Sequence, residues 1–248
     1  NWLAEDANQA NAPRALTVIG EAGVVTVSQH SPDEWHGVEL SGAYQNPVVV
    51  MSGITNNDPD PVTVRVRNLL PDRFEFQLDE WDYQVPGVHG AETLSYLVIE
   101  AGNWELDGGG RVAAGYAEGK WQRGLPVTVE GFGGNGNAPV IFATIFGDEE
   151  TRAATPRVNL ISQSEFHLHV SGQDSDRDVG SEPMGWIAWS AGSDVSSKWE
   201  AGPVADLVTH EWLTQPLNLS NGGNFALLAG MQTRNGADPA TVRLSIPT

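Results

Sequence analysis

Alternating apolar and polar residues recur in short stretches along the chain. Every second residue is valine in VTVRVR at 62–67, and every second residue is phenylalanine or leucine in FEFQL at 74–78. Because successive side chains of a strand point to opposite faces, both stretches predict strands with one buried face and with Arg65 on the outer face. Residues 48–51 and 96–99 are apolar or aromatic throughout, which is typical of strands covered on both faces. No stretch keeps a helical period, so we predict an all-β protein.

An internal repeat is the most informative feature of the chain. Three kinds of segment recur in the same order: an opening tryptophan, a second tryptophan after a charged residue, and an apolar strand. The opening tryptophans are Trp2, Trp104 and Trp199, the second set is Trp35, Trp121 and Trp212, and the apolar strands are residues 46–50, 138–142 and 224–228. Segments of roughly 100 residues suit single sandwich domains. We therefore predict tandem antiparallel β-sandwich repeats at 1–102 and 103–197 and a partial repeat at 198–248, named repeats one, two and three.

The third repeat stops early. Residues 240–245 match 62–67, and the segments that follow this strand in repeat one have no counterpart after it. The chain also opens at Asn1 and Trp2 with no visible signal segment, as a mature or excised fragment does. We expect a window from a longer array, located outside the cell or on its surface.

Charge and cysteine content exclude several classes of function. The chain has 32 acidic and 13 basic residues and a formal net charge of −19. This balance argues against a nucleic-acid partner, whose phosphates require a basic surface. The absence of cysteine excludes disulfides, thiolate metal sites and cysteine nucleophiles. No apolar run approaches about 18 residues, so we predict no membrane insertion.

The order of segments within a repeat resembles the H-type lectin domain. In repeat one the matching pieces are Trp35 and residues 47–51, 62–69, 74–82 and 95–99. The resemblance implies a six-stranded antiparallel sandwich that associates in threes, with sugar pockets near the strand tips. It also implies that the repeats pack around a pseudo-threefold axis, as a pseudo-trimer within one chain or as a homo-oligomer.

The resemblance places a sugar-binding tip at Trp81, Asp82 and Tyr83, with His89 on the same long turn. A pyranose ring has an apolar face that stacks on an aromatic ring, and its hydroxyls require polar donors and acceptors. We therefore predict that Trp81 stacks on a glycan while the other three residues bind hydroxyls. The alternative is that Trp81 and Tyr83 pack the loop and bind nothing.

Two patterns in repeat two suggest metals. Asp174, Asp176 and Asp178 alternate like the opening of a calcium loop, so Ca²⁺ is a candidate cofactor at these carboxylates. The alternative is a solvated acidic turn. His167 and His169 are two apart on a predicted strand and share one face, but Zn²⁺ requires a third ligand and none is evident by spacing.

The combined pattern favours non-catalytic binding of a glycan or polysaccharide by a secreted lectin-like module. No nucleophile elbow, phosphate loop or zinc-protease motif occurs, so we predict that the protein is not an enzyme, although a glycosidase carboxylate pair leaves no motif. The other alternative is a structural stalk of a surface adhesin. Because WDY at 81–83 is replaced by QDS at 173–175, the repeats differ in their loops, and this difference favours binding over a stalk.

Overall fold

The structure of the chain is a computed structural model. The structure describes residues 18–81, 83, 88–106, 109–120, 124–132, 136–147, 153–172, 180–194, 198–204, 208–218, 225–233 and 240–245.

Strands are the regular secondary structure of these residues, and no α-helix occurs among them. The all-β prediction is confirmed. In chain order the strands are β1 Gly20–Gln29, β2 His36–Glu39, β3 Pro47–Ser52, β4 Ile54–Thr55, β5 Val62–Leu70, β6 Arg73–Glu80, β7 His89–Glu100, β8 Gly102–Glu105, β9 Arg111–Gly119, β10 Leu125–Thr128, β11 Val140–Phe146, β12 Ala154–Asn159, β13 Glu165–Gly172, β14 Glu182–Trp189, β15 Gly192–Ser193, β16 Glu200–Ala201 and β17 Arg243–Leu244.

Two sets of six strands have the same antiparallel topology. In the first set, β1-β7-β3 faces β2-β6-β5, and a core from β2 to β7 fills the space between the two layers. In the second, β9-β14-β11 faces β10-β13-β12 around a separate core. The middle strands of the two sets correspond in sequence. In one layer β14 is the counterpart of β7, and in the other β13 is the counterpart of β6. The apolar alternation explains both cores, because one face of each strand is buried in them.

A constant numbering offset relates the matched segments from β3 through β6. Repeat-two residues are numbered 92 higher than their repeat-one counterparts, as in Arg157 for Arg65 (157 − 65 = 92). Repeat-three residues are 178 higher, as in Arg243 for Arg65 (243 − 65 = 178). Backbone geometry follows the same relation, since Asn68 and Leu160 both have positive φ angles, of 46° and 50°.

The repeats share sheets and a core. β5 of repeat one pairs parallel with β11 of repeat two, which joins six strands and β8 into one seven-stranded sheet. β4 of repeat one pairs parallel with β17 of repeat three. A third core lies between repeats one and two and contains Val48, Val50, Leu97, Ile99, Val112, Ala114 and Ile187. The runs that are apolar on both faces are therefore strands with their own core on one side and a neighbouring repeat on the other.

Candidate functional site

The predicted sugar-binding tip lies between β6 and β7, and its residues are not presented together. Trp81 is 4% exposed and His89 is 2% exposed, so neither ring offers a face to a ligand. The prediction that Trp81 and His89 contact a glycan is therefore wrong. Tyr83 is 61% exposed, and Asp82 lies outside the described residues.

His89 is buried because it completes a hydrogen-bonded network of carboxylates. It begins β7, and its Nδ1 lies 2.7 Å from Oε1 of Glu80 at the end of β6. Burial raises the pKa of Glu80, and the hydrogen bond with His89 opposes this rise. The second ring nitrogen, Nε2, lies 3.5 Å from Oε1 of Glu92. The imidazole thus links β6 and β7 through Glu80, while its Nε2 is buried near Glu92 without a hydrogen-bond partner among the described residues.

Glu92 connects this network to repeat three. Its carboxylate is fully buried and accepts hydrogen bonds from the Thr55 hydroxyl and from the backbone N–H groups of Asn57 and Asp58. Arg243 Nη2 lies 2.5 Å from Glu92 Oε1. Burial lowers the pKa of Arg243, and the charges of Glu92 and Asp58 oppose that shift. Such a charge-assisted pair inside a polar network fixes geometry as well as charge.

Arg243 also binds the backbone of repeat one. Its Nε donates to the carbonyl of Thr55 at 2.7 Å, and its two Nη atoms donate to the carbonyls of Asp60 and Asp58, each at 2.9 Å. The planar guanidinium therefore donates hydrogen bonds to three carbonyls and one carboxylate at once, which a lysine cannot do. This set of bonds closes repeat three onto the β4–β5 turn of repeat one.

Arginines at the positions that correspond to Arg243 make two further contacts between repeats. Arg65 of repeat one lies 2.8 Å from Asp79 on its own sheet and 3.5 Å from Glu182 of repeat two. Glu182 opens β14 near the position that Glu92 has in β7. Arg157 of repeat two donates to the carbonyl of Thr233 at 2.9 Å, and Thr233 is the repeat-three counterpart of Thr55. We call these three contacts the arginine contacts. They run from repeat one to two, from two to three, and from three to one.

The burial of Arg65 differs from the outward position expected for it. Arg65 does point away from the core of its own repeat, but it is only 2% exposed because repeat two covers that face. The alternation of apolar and polar residues correctly placed Arg65 on the face opposite the core. It could not show that repeat two covers this face, because the contacts between the repeats are distant in sequence.

Side-chain hydroxyls form a second recurring contact between repeats. The Met51 N–H donates to the Thr144 hydroxyl at 2.8 Å, and the Ala229 N–H donates to the Ser52 hydroxyl at 3.1 Å. Ala229 is the repeat-three counterpart of Met51, and Thr144 is the repeat-two counterpart of Ser52. The repeat-three counterpart of Ser52 and Thr144 is Gly230, which has no hydroxyl.

A small cavity of about 80 Å³ lies where the three repeats meet. Its lining includes Thr63, Thr155 and Thr241, one from each repeat at corresponding positions. All three repeats contribute to the lining, through residues of β3, β4 and β5, of β11 and β12, and of the segments 229–231 and 240–242.

Metal ligands were predicted at two places in repeat two, and the structure describes only the histidine pair. Asp174, Asp176 and Asp178 lie outside the described residues. His169 is 5% exposed with Nε2 2.9 Å from Asn159 Oδ1, while His167 lies 3.1 Å from Glu165. Within the described part of the chain, no three His, Cys, Asp or Glu residues are grouped closely enough to hold a metal ion. No helix long and apolar enough to cross a membrane is found there either.

Comparisons with known proteins give one distant relative. No protein-family model matches the chain, and no solved structure matches it, so nothing identifies an H-type lectin domain. The chain is similar to halomucin of Haloquadratum walsbyi (strain DSM 16790 / HBSQ001), at 26% identity over 252 residues, with 96% of this chain covered. It spans about 3% of the length of that protein, so the similarity is to one segment of a very long polypeptide.

Proposed function

We propose that this chain is a non-catalytic structural module of a long secreted or cell-surface protein, in which three related repeats close on one another and act as one rigid body. The arginine contacts carry this proposal, because they join all three repeats through corresponding side chains. A spacer requires rigid connections between its repeats, and the buried faces of these repeats form such connections. Similarity to a segment of a very long protein is compatible with this role.

The interfaces have the properties of a rigid connection. Domains in one chain move relative to each other by default unless their interface is large and apolar. Here a strand ladder, a shared apolar core and a buried ion pair all cross between repeats one and two. We propose in addition that each six-stranded set has the H-type lectin-like arrangement, with the three repeats arranged as a pseudo-trimer about the small cavity.

Single-molecule stretching tests the mechanical role. If the repeats form one body, residues 20–245 should unfold in a single step of roughly 800 Å, at about 3.6 Å per residue. Independent repeats would instead give steps of roughly 300 Å for each of repeats one and two and roughly 170 Å for the shorter repeat three. Atomic-force measurements on this chain between marker domains of known length would measure the increments.

Arg65→Ala should split the single unfolding step into shorter steps, because it removes an arginine contact at the interface of repeats one and two. Arg67→Ala is the matched control, since Arg67 lies on the same strand and its pair with Glu75 is partly exposed, at 28% and 37%. Short steps in the unmodified chain would contradict the proposal, as would identical traces for the two variants.

Glycan binding by the β6–β7 loop is the second candidate function. The exposed ring of Tyr83 favours it, because an aromatic side chain that is 61% exposed can stack on a sugar face. A site of this kind would have modest affinity and would depend on several copies acting together.

Tyr83→Ala tests this candidate. On a glycan array, with and without EDTA, a lectin role predicts retention of at least one glycan and its loss on this substitution. The melting temperature should stay nearly constant, since exposed side chains contribute little to stability. Trp81→Ala, by contrast, should lower the melting temperature because Trp81 is buried. Absence of retention on the array at high protein density would reject glycan binding.

A further inference from the structure

One tripeptide of the sequence has the form of an N-glycosylation acceptor. Asn218 is followed by Leu219 and Ser220, so a serine stands two residues after an asparagine and no proline lies between them. None of the other asparagines in the sequence has serine or threonine two residues later. Leu219 and Ser220 lie outside the described residues, whereas Asn218 lies within them. Because such tripeptides also arise by chance, the position of Asn218 in the fold decides whether a glycan fits there.

Asn218 is exposed, and its side-chain amide is open to solvent. Its backbone N–H donates to Glu200 Oε2 at 2.8 Å, which holds the main chain at this point. Among the described residues, the side-chain amide of Asn218 has no hydrogen-bond partner. A glycan is bulky and occupies the surface, so an acceptor has to present its amide nitrogen outward. Asn218 meets this requirement, and its modification breaks no described contact.

The repeat places this position on the outer face of the fold in repeats one and two as well. The segment QPLNL around Asn218 matches LPVTV of β10, so Thr128 is the counterpart of Asn218. Strand register places Glu39 of β2 at the same position. Thr128 and Glu39 are both exposed, while Val127, next to Thr128, is 8% exposed. Because successive side chains of a strand alternate between faces, the exposure of Asn218 does not depend on whether its own segment is paired.

We propose that Asn218 is the acceptor of an N-linked glycan, which an oligosaccharyl transferase delivers from a lipid-linked oligosaccharide. In this step the Asn218 amide nitrogen forms a bond to C1 of the first sugar. The bond between C1 and the lipid phosphate oxygen breaks, and the phosphate leaves with the bonding electron pair. The amide loses one proton, and nothing is oxidised or reduced. The serine at 220 completes the tripeptide that the transferase recognises.

A glycan at this position is compatible with the contacts between repeats. The arginine contacts come from β5, β12 and β17. The counterparts of Asn218 lie on β2 and β10, and the middle strand of the layer separates β2 from β5 and β10 from β12. The modified edge of each layer is therefore opposite the edge that carries the arginine. The inference goes beyond the proposed structural role and relies on the location outside the cell that forms part of it.

Cysteine labelling tests the position of the acceptor on the folded chain. The sequence has no cysteine, so a single introduced cysteine is the only thiol. Asn218→Cys and Thr128→Cys should react with a maleimide at similar rates. Val127→Cys should react on the order of tenfold more slowly or better, because its thiol becomes accessible only through local opening. Circular dichroism checks that each variant is folded. A reaction of Asn218→Cys as slow as that of Val127→Cys would show a covered acceptor and would overturn the proposal.

Mass spectrometry of the exported protein tests the modification itself. The chain is exported by its natural host cells behind a signal segment and recovered from outside the cells. Trypsin cleaves after Lys198 and Arg234, so the peptide 199–234 contains the whole tripeptide. We expect this peptide to carry an added mass of whole sugar residues, and fragmentation should place that mass on Asn218. Asn218→Gln and Ser220→Ala should each remove the added mass completely, while Ser220→Thr should retain it.

The variants also separate N-linked from O-linked sugars. An added mass that persists in Asn218→Gln lies on a hydroxyl group and would overturn the proposal. An unmodified peptide 199–234 from the exported chain would overturn it too. Because only exported protein is analysed, that result counts against the acceptor and leaves the location outside the cell unaffected. The unfolding steps on stretching do not depend on a glycan, so failure of the structural role is measured separately.

Discussion

Glu92→Ala is expected to lower the free energy of unfolding by about 3–5 kcal/mol, the usual effect of removing one partner of a buried ion pair. Glu92 is fully buried, and it is the common acceptor for Arg243, Thr55 and two backbone N–H groups. Removing the carboxylate leaves these donors without their acceptor and leaves the guanidinium charge uncompensated. Urea unfolding, followed by tryptophan fluorescence and circular dichroism, measures the change.

Glu75→Ala is the matched control for this substitution. Glu75 also binds an arginine, at 2.8 Å, but its side chain is 37% exposed, and surface ion pairs contribute about 0–1 kcal/mol. A second variant, Glu92→Gln, retains the shape and one acceptor oxygen, so its effect should fall between the two. Equal losses for Glu92→Ala and Glu75→Ala would show that the contact between repeats one and three contributes nothing to stability.

Local sequence patterns were sufficient to predict strands and their inner faces. The alternation at 62–67 and 74–78 predicted a hairpin, and β5 and β6 pair antiparallel with Arg67 opposite Glu75. Tryptophan matching was less reliable. His36 pairs with Phe76 and Leu125 with Leu168, so strand register places Gly124 at the position of Trp35, three residues after Trp121. All the residue pairs of a ladder together set the strand register, so the position of a single tryptophan can differ between repeats.

The candidate site shows the limit of local reasoning. Trp81 lies at a strand tip, and nothing near it in sequence reveals that it is buried. The arginines at 65, 157 and 243 were visible as one repeated residue in matched strands, yet an alternation that places them on the outer face gives no reason to expect burial. Their partners Glu92 and Glu182 are distant in sequence and belong to other repeats. Only the assembled repeats show that these charges face each other.

The outer surface of the protein is strongly acidic. The chain has 13 lysines and arginines against 32 acidic residues, and Arg65 and Arg157 are only 2% and 5% exposed. Their positive charges lie inside the interfaces between repeats, while acidic residues such as Asp33, Glu39 and Asp72 are exposed. Buried carboxylates at Glu80, Glu92, Glu182 and Asp194 offset these buried arginines, so the surface keeps the strongly negative balance of the composition, and self-repulsion opposes the compact state.

Raising NaCl from about 0.02 M to about 1 M is expected to raise the melting temperature by roughly 5–10 °C, or about 2–3 kcal/mol for a chain of this size. At 1 M the screening length falls to about 3 Å, which suppresses repulsion between exposed carboxylates. Buried pairs such as Arg243 with Glu92 are screened much less, so the interfaces keep their strength. Scanning calorimetry over a series of NaCl concentrations measures the slope.

A charge variant separates screening from general salting-out. Asp33→Asn, Glu39→Gln, Asp72→Asn and Glu130→Gln together remove four exposed charges and reduce the net charge to −15, from −19. If repulsion is the cause, this variant should melt higher than the original chain at low salt, and its slope with NaCl should be smaller. Salting-out strengthens apolar burial in both proteins alike and predicts parallel slopes. Parallel slopes would contradict surface repulsion as the dominant effect. A melting temperature that falls with NaCl would contradict it too, and would indicate that ion pairs at the surface stabilise the fold.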